Sequence, residues 1–84
     1  MDFLLKEERI VIETKMAREG LDARKLGEEL LIDIARYGEH PHCKTLVCFV
    51  YDPDGLIRNP EGFERDLSKR HGEIDVRISI RPRH

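Results

Sequence analysis

The sequence lacks any apolar run near the roughly 20 residues that a bilayer-spanning helix requires. Its first residues also lack the basic stretch and apolar segment of a secretory signal. Cysteine is scarce: only Cys43 and Cys48 occur, and Cys48 lies in an apolar strand pattern where a buried free thiol is ordinary. These absences predict a cytoplasmic protein with no membrane partner, whose fold does not depend on disulfide bonds.

Neither a glycine-rich phosphate loop nor a Ser/His/Asp arrangement is present, and the sequence has no internal repeat. The charge is nearly balanced, with 15 Lys and Arg against 17 Asp and Glu, giving a net charge of −2. This balance argues against a strongly basic protein that coats nucleic acid. It does not exclude nucleic-acid binding, because cations held between carboxylates would offset the negative charge of those carboxylates. At 84 residues the chain is predicted to form one domain, 1–84, of modest stability.

Two short apolar runs near the start predict a β-hairpin. The first follows Asp2, and the second ends in Glu13, Thr14 and Lys15, with a charged turn at residues 6–8 between them. A long amphipathic helix then begins after Asp22, a plausible N-cap, and runs to about Tyr37. Its predicted apolar stripe is wide enough to bury much of the second half of the helix, leaving a polar edge of Glu29, Asp33 and Arg36. The stripe comprises Leu26, Leu30, Ile34 and Tyr37, widened by Leu31, Ile32 and Ala35.

The second half of the chain adds a strand, a short helix and a strand. The run Thr45–Tyr51 is continuously apolar and predicts a central strand covered on both faces. Asn59 and Pro60 predict the start of a helix that reaches about His71, with Gly72 as its stop. The alternation over 74–81 predicts a half-exposed strand near a sheet edge. The fold class is therefore α/β, with a four-stranded mixed sheet and two helices in the order ββαβαβ.

The end of the hairpin carries a possible catalytic site. Side chains alternate along a strand, so Glu13 and Lys15 share a face, and antiparallel pairing brings Asp2 beside Glu13. Two carboxylates and an ammonium suit phosphodiester hydrolysis, in which carboxylate-held Mg²⁺ activates water and the lysine orients it or stabilises negative charge. The Thr14 carbonyl would complete the metal ligands. The alternative is an exposed strand end with an ion pair of little energetic value.

The sequence resembles the second half of the core of the PD-(D/E)XK, or restriction-endonuclease-like, nuclease superfamily. The resemblance lies in Asp2, then Glu13, Thr14 and Lys15, followed by an amphipathic helix and an apolar strand. More closely, four stretches resemble uncharacterised bacterial proteins that carry this domain at their C-terminus. The stretches are residues 1–5, 10–15, 32–37 and 44–53, so the resemblance extends over essentially the whole chain.

The resemblance implies a DNA-hydrolysing core that uses Mg²⁺ or Mn²⁺, in which Asp2 and Glu13 match the metal-binding carboxylates and Lys15 the catalytic lysine. Glu29 or Asp33 matches loosely a polar residue that some branches place on the following helix. The superfamily core normally begins with a helix and a strand before the Asp, so this chain resembles a shortened core. An uncovered strand edge or apolar face predicts a homodimer. A nuclease-derived module that dimerises or docks on a partner without turnover is the alternative function.

Two other groups of residues are candidate sites. One candidate is a zinc site formed by His40, His42, Cys43 and Cys48. Three ligands so close together in one loop fit a tetrahedral ion poorly. The alternative is that they are ordinary polar residues of a loop. A basic group near the C-terminus is a candidate phosphate-contacting patch, with a solvated face as its alternative. It comprises Lys69, Arg70, His71, Arg77, Arg81 and Arg83.

Overall fold

The computed structural model describes residues 2–5, 9–39 and 43–82, with side chains described from residue 9 onward. None of the helices in these ranges is long and apolar enough to cross a membrane. The elements in chain order are β1 (Asp2–Leu5), β2 (Ile10–Met16), α1 (Ala23–Gly38), β3 (Thr45–Tyr51), α2 (Pro60–Leu67), β4 (Arg70–His71) and β5 (Ile74–Arg81).

The strands form one mixed sheet in the order β1-β2-β3-β5-β4. The β1 and β2 hairpin is antiparallel, β2 pairs with β3 and β3 with β5 in parallel, and β4 pairs antiparallel with β5. The predicted α/β fold, with four principal strands and two helices, is confirmed. The two-residue β4 is an additional strand at the sheet edge.

Helix α1 begins where the sequence predicts. The Asp22 side chain caps it by accepting a hydrogen bond from the backbone N–H of Lys25 at 3.0 Å. The predicted width of its buried stripe is wrong. The inner positions Leu26, Leu30 and Ile34 are buried, whereas Leu31, Ile32 and Ala35 are exposed. Only one side of α1 lies against the rest of the described protein, so its outer apolar residues remain in solvent.

Helix α2 also begins as predicted, because the Asn59 side chain accepts a hydrogen bond from the Gly62 N–H at 3.1 Å and Pro60 occupies the first helical position. The predicted end near His71 is wrong. The helix ends at Leu67, and the next residues turn into β4, which pairs with β5. Gly72 has a φ of +62° and makes the tight turn between these two strands, so it serves a hairpin rather than a helix stop.

Both helices cover the same face of the sheet. The chain moves from β2 to β3 and then to β5 in one direction across the sheet, and two right-handed crossovers made in the same direction place both helices on one side. The covered side contains the core side chains of β3 and β5, which are Leu46, Cys48, Val50, Ile74, Val76, Ile78 and Ile80. The prediction that β3 is covered on both faces is wrong, because Phe49 and Tyr51 are 47% and 55% exposed.

Polar side chains of α2 and of Ser68, the residue that follows it, complete the hydrogen bonding of β5 beyond its short pairing with β4. Ser68 Oγ accepts a hydrogen bond from the Ile78 N–H at 2.8 Å, and Glu64 Oε2 accepts one from the Ile80 N–H at 2.7 Å. The helix therefore protects this part of the β5 edge, which would otherwise present free backbone donors.

Candidate active site

A lysine lies between carboxylates where β2 meets α1. Glu13 and Lys15 are two residues apart on β2, so both side chains point to the helix-covered face. Helix α1 packs over that face and supplies Asp33. Glu13 is 6% exposed and Asp33 is 8% exposed. Charged groups this deeply buried are rare unless they are paired or functional.

The ammonium of Lys15 contacts three carboxylates. Its Nζ atom lies 2.7 Å from Asp33 Oδ2, 3.3 Å from Glu13 Oε1 and 3.5 Å from Glu29 Oε1. Asp33 and Glu29 are one helical turn apart on α1, which explains how both reach the same lysine. Glu29 differs from the other two in having a side chain that is 46% exposed.

The acidic oxygens of this cluster are incompletely satisfied. Glu13 Oε2 is buried and no hydrogen-bond donor reaches it, and Asp33 Oδ2 forms its ion pair with Lys15 Nζ at 2.7 Å. Native proteins leave few buried polar atoms in this condition. Hard carboxylate oxygens of this kind are the donors that Mg²⁺ prefers, so the donor set fits a divalent cation.

Burial and the neighbouring Asp33 carboxylate raise the pKa of Glu13 to about 7, although Lys15 acts to lower it. Burial alone would lower the pKa of Lys15, but the hydrogen-bonding and charge interactions with Asp33 and Glu13 outweigh it and raise that pKa above its ordinary value. Lys15 is therefore a cation throughout the neutral pH range. Glu13 exchanges its proton near neutrality, as expected where two carboxylates share one site.

The backbone of β1 brings Asp2 into register with Glu13, as the hairpin predicts. The Asp2 side chain lies outside the described side chains, so its role as a metal ligand stays a prediction. Thr14 follows Glu13 and is in register with Phe49 of β3, and ligation by its carbonyl also stays a prediction. Among the described side chains, no group of three or more His, Cys, Asp or Glu residues is arranged to hold a metal ion.

The comparison with known proteins agrees with this architecture. The family model of the DpnII–MboI restriction endonucleases matches residues 1–83. The chain belongs to this family. No curated protein and no solved structure matches it. In this restriction endonuclease family member, the cluster of Glu13, Lys15 and Asp33 is the candidate active site of a nuclease-like domain.

Of the two predicted auxiliary residues, Asp33 lies closer than Glu29 to Lys15, the predicted catalytic lysine. The sequence places Asp33 on a polar edge of α1 with Glu29 and Arg36, and in the structure Asp33 is buried whereas the other two residues are exposed. Apolar periodicity did not predict this burial, because it assigns a charged residue such as aspartate to the polar side of a helix. Its catalytic role stays a prediction, as does that of Glu29.

The predicted DNA-contacting residues that the structure describes lie just before β4, on β4 and on β5. Lys69 and Arg70 lie at the turn into β4, where Arg70 pairs with Glu73 and Asp75. Arg77 and Arg81 lie on β5 and alternate away from its buried residues, so they are on the face opposite the helices. Arg83 lies outside the described residues. DNA contact by these side chains stays a prediction.

The proposed zinc group is only partly described, since residues 40–42 lie outside the described ranges. Cys43 and Cys48 are both buried, and neither forms a disulfide bond. Burial raises the pKa of the Cys43 thiol, and its Sγ lies 3.6 Å from the Thr45 carbonyl oxygen. A raised thiol pKa opposes the thiolate form that zinc requires.

One buried acidic residue was missed by sequence reasoning. Asp52 is 1% exposed at the end of β3, and its two carboxylate oxygens accept hydrogen bonds from the N–H groups of Leu56 and Ile57 at 2.8 and 2.9 Å. The sequence Asp-Pro-Asp-Gly indicates only a turn. An aspartate that precedes such a turn can bind its backbone donors, and that is the signal that could have identified it.

Proposed function

We propose that this chain is a Mg²⁺- or Mn²⁺-dependent nuclease that hydrolyses phosphodiester bonds in DNA. The observation that carries the proposal is the position of Lys15 between two buried carboxylates, one of which has an oxygen without a hydrogen-bond partner. A structural ion pair requires neither a second carboxylate nor an unsatisfied oxygen. A site that binds a cation requires both features, because it gathers oxygen donors that the protein alone does not satisfy.

The residues that would hold the cation are Glu13 and Asp33, together with Asp2 and the Thr14 carbonyl. Glu13 offers an unpartnered buried oxygen, and Asp2 is its backbone partner in the hairpin. When bound, such an ion lowers the pKa of a water molecule and withdraws charge from a phosphate oxygen.

Lys15 supplies the positive charge that is built into the protein itself. Its raised pKa keeps the ammonium protonated, so it can donate hydrogen bonds to a water molecule or to a phosphate oxygen as negative charge develops. The contacts with Glu13 and Asp33 fix the ammonium before substrate arrives. Fixed charges of this kind need little reorganisation during the reaction.

Cleavage of plasmid and single-stranded DNA by the wild type, Glu13→Ala and Lys15→Ala tests the proposal. Each substitution should reduce metal-dependent cleavage by about 100-fold or more. The matched controls are Glu28→Ala and Lys44→Ala, because both residues are exposed and neither contacts the site. The controls should retain wild-type activity. Equal cleavage by all five proteins would refute the proposal and indicate a contaminating nuclease.

A binding module without turnover is the second candidate. It is favoured by the lack of a three-residue metal-binding group among the described side chains. In that case the wild type would bind DNA or a partner, yet Mg²⁺ and Mn²⁺ would neither stimulate cleavage nor raise the melting temperature. The metal-induced shift of the wild type and Glu13→Ala distinguishes the two candidates without reference to activity, since only a metal site shows a shift that Glu13→Ala removes.

A further inference from the structure

One face of the sheet is turned away from both helices, and we call it the open face. It consists of the described side chains of β2, β3, β4 and β5 that point away from α1 and α2. The character of these side chains changes across the sheet. Strand β2 contributes Thr14 and Met16, β3 contributes Phe49 and Tyr51, and the β5 edge contributes arginines. An aromatic band therefore lies beside a cationic band.

The aromatic band is accessible to a ligand. Phe49 and Tyr51 are 47% and 55% exposed. They are two residues apart on β3, so both rings project from the open face and their Cα atoms lie about 7 Å apart. Beside them is a surface pocket of about 200 Å³, whose lining includes both rings together with Thr14, Ser79 and Arg81. Aromatic rings, hydroxyl groups and a guanidinium are the groups that a nucleobase uses for stacking and for hydrogen bonds to its edge.

The cationic band runs along β4 and β5. Arg70 is in register with Asp75, and Arg77 and Arg81 follow Asp75 on the same face of β5. Among the described side chains, the open face therefore holds three arginines and one carboxylate. Arg77 is exposed and forms no ion pair with a described carboxylate. This excess of positive charge favours an anionic occupant.

The other two arginines have carboxylate partners that hold them weakly. Arg70 lies 3.7 Å from Glu73 and 3.6 Å from Asp75, and Arg81 lies 3.3 Å from Glu64. The side chains of Arg70 and Arg81 are 59% and 62% exposed. Exposed ion pairs of this kind contribute little to stability. Phosphate groups can therefore replace or join these partners at little cost.

We propose that the open face binds single-stranded nucleic acid, with its bases stacked on Phe49 and Tyr51 and its phosphates bound by Arg77 and Arg81. The register of the sheet supports this arrangement, because Tyr51 lies beside Arg81 and Phe49 lies beside Ser79, the residue midway between the two arginines. A nucleic-acid backbone that follows β5 places its bases over β3. Stacking on aromatic side chains tolerates every base, so this surface binds a strand without reading its sequence.

A second copy of the chain is the alternative occupant, and the homodimer predicted from the sequence stays a prediction. Two copies joined through the open face would double its three arginines and its one carboxylate, so cations would meet across the interface. Burial of a cation without a partner is strongly unfavourable. Nucleic acid instead brings the opposite charge, and it leaves the guanidinium groups at the edge of the sheet in contact with water.

The open face is separate from the candidate active site. The side chains of Glu13, Lys15 and Asp33 lie together under α1, on the opposite face of the sheet. Binding to the open face therefore requires neither a metal ion nor cleavage. It can be measured in a chelator, where failure of this proposal is distinguishable from failure of the proposed nuclease activity.

Fluorescence anisotropy of a labelled oligothymidine in excess chelator tests the proposal. Phe49→Leu removes the ring but keeps an apolar side chain, so Kd should rise about tenfold. Arg77→Gln should also weaken binding, and it should reduce the slope of log Kd against log salt concentration by about 0.7. Ile32→Ser and Arg24→Gln are the matched controls, because both residues are exposed on α1. Absence of binding by the wild type, or equal binding by all five proteins, would overturn the proposal.

Two further measurements separate stacking from attraction of charge alone. The bases of a duplex are already stacked on one another, so a duplex of the same length should bind more weakly than the single strand. The sequence has no tryptophan, so Phe49→Trp keeps a ring and adds a single fluorescent reporter. This variant should bind like the wild type, and its fluorescence should fall on binding. Equal affinity for the duplex, or unchanged fluorescence at saturation, would overturn the assignment. Oligouridine of the same length identifies whether DNA or RNA binds more tightly.

Glu13→Ala tests where the strand binds. It alters the candidate active site and leaves the open face intact, so its affinity for oligothymidine in chelator should equal that of the wild type. An equal loss of affinity in Glu13→Ala and Phe49→Leu would place the strand at the active site and overturn the proposal. Sedimentation equilibrium tests the alternative occupant. A wild-type dimer that Phe49→Leu dissociates, with no change in oligothymidine affinity, would assign the open face to a second copy of the chain instead.

Discussion

Two buried carboxylates in this protein have contrasting surroundings. Asp52 at the end of β3 is fully buried, and both its oxygens accept backbone N–H hydrogen bonds. Glu13 on β2 is almost as buried, yet one of its oxygens has no hydrogen-bond partner and Asp33 adds a second negative charge nearby. Backbone donors satisfy both oxygens of the first carboxylate, whereas no such donor reaches Oε2 of the second.

This difference separates a carboxylate with a structural role from one that is a candidate for a functional role. A carboxylate that binds backbone donors stabilises its loop in its charged form. A carboxylate buried beside another raises the free energy of the folded protein unless a proton or a cation is present. Substitution of Asp52 should therefore lower the free energy of unfolding, whereas substitution of Glu13 should raise it in the metal-free protein.

The largest effect is expected at Asp52. Asp52→Ala removes two charge-assisted hydrogen bonds and leaves the buried Ile57 N–H without its acceptor, so unfolding free energy should fall by about 3 kcal/mol. Urea unfolding measures this loss. Asp52→Asn is the matched variant, since it keeps one acceptor oxygen and should lose about half as much. A loss below about 1 kcal/mol for Asp52→Ala would show that water replaces the carboxylate.

The fold around these two sites was largely predictable from sequence, with instructive exceptions. Caps at Asp22 and Asn59 and the alternation of β5 are local signals, and the structure confirms them. The exposure of Phe49 and Ile32 was not predictable, because it depends on which side of the sheet each helix packs. Periodicity records how apolar a segment is, and only the topology of the whole sheet determines what covers it.

A smaller loss is expected at Lys15, the cation of the candidate site. Lys15→Met leaves Glu13 and Asp33 facing each other without a positive charge, so unfolding free energy should fall by about 2 kcal/mol at pH 8. The loss should be smaller at pH 5, because Glu13 has a pKa of about 7 and is then mainly protonated. Urea unfolding at both pH values measures the difference.

The double variant Glu13→Gln/Lys15→Met provides the control for this interpretation. It removes the lysine together with one of the two charges that the lysine offsets, so it should be less destabilised at pH 8 than Lys15→Met alone. An equal loss for the single and double variants, at both pH values, would show that Lys15 contributes through packing of its aliphatic chain rather than through charge.

The candidate site was predictable in part, for a physical reason. Asp2, Glu13 and Lys15 all belong to one hairpin. Side chains alternate along β2, so Glu13 lies on the same face as Lys15, and the pairing of β1 with β2 places Asp2 opposite Glu13. Asp33 reaches Lys15 only because α1 packs across β2. The resemblance offered Glu29 or Asp33 as the auxiliary residue, but the residue pattern of α1 has no signal that predicts the burial of Asp33 or its contact with Lys15.

Glu13→Gln should stabilise the metal-free protein at pH 8 by about 1 kcal/mol, after allowance for the partial access of solvent to the site. The pKa of Glu13 is raised from 4.5 to about 7, so the folded state holds its proton more tightly than the unfolded state. Wild-type stability should therefore fall as pH rises from about 4.5 to about 7, whereas glutamine does not titrate.

Unfolding in the presence of a chelator at pH 4, 6 and 8 measures this effect. The two proteins should be nearly equal at pH 4 and should diverge as pH rises. Glu28→Gln is the matched control, because Glu28 lies exposed on α1 with Arg24 as its partner and should show no such pH dependence. A constant difference between Glu13→Gln and wild type at all three pH values would contradict the assigned direction of the shift.

The smallest effect is expected at Glu29. Its side chain is 46% exposed and its oxygen lies 3.5 Å from Lys15 Nζ, so Glu29→Gln should change unfolding free energy by less than about 0.5 kcal/mol. Cleavage by Asp33→Asn should fall further than cleavage by Glu29→Gln, because Asp33 is buried and contacts the lysine at 2.7 Å. A greater loss of cleavage in Glu29→Gln would instead identify the exposed carboxylate as the auxiliary residue, since substrate or metal would then draw it inward from solvent.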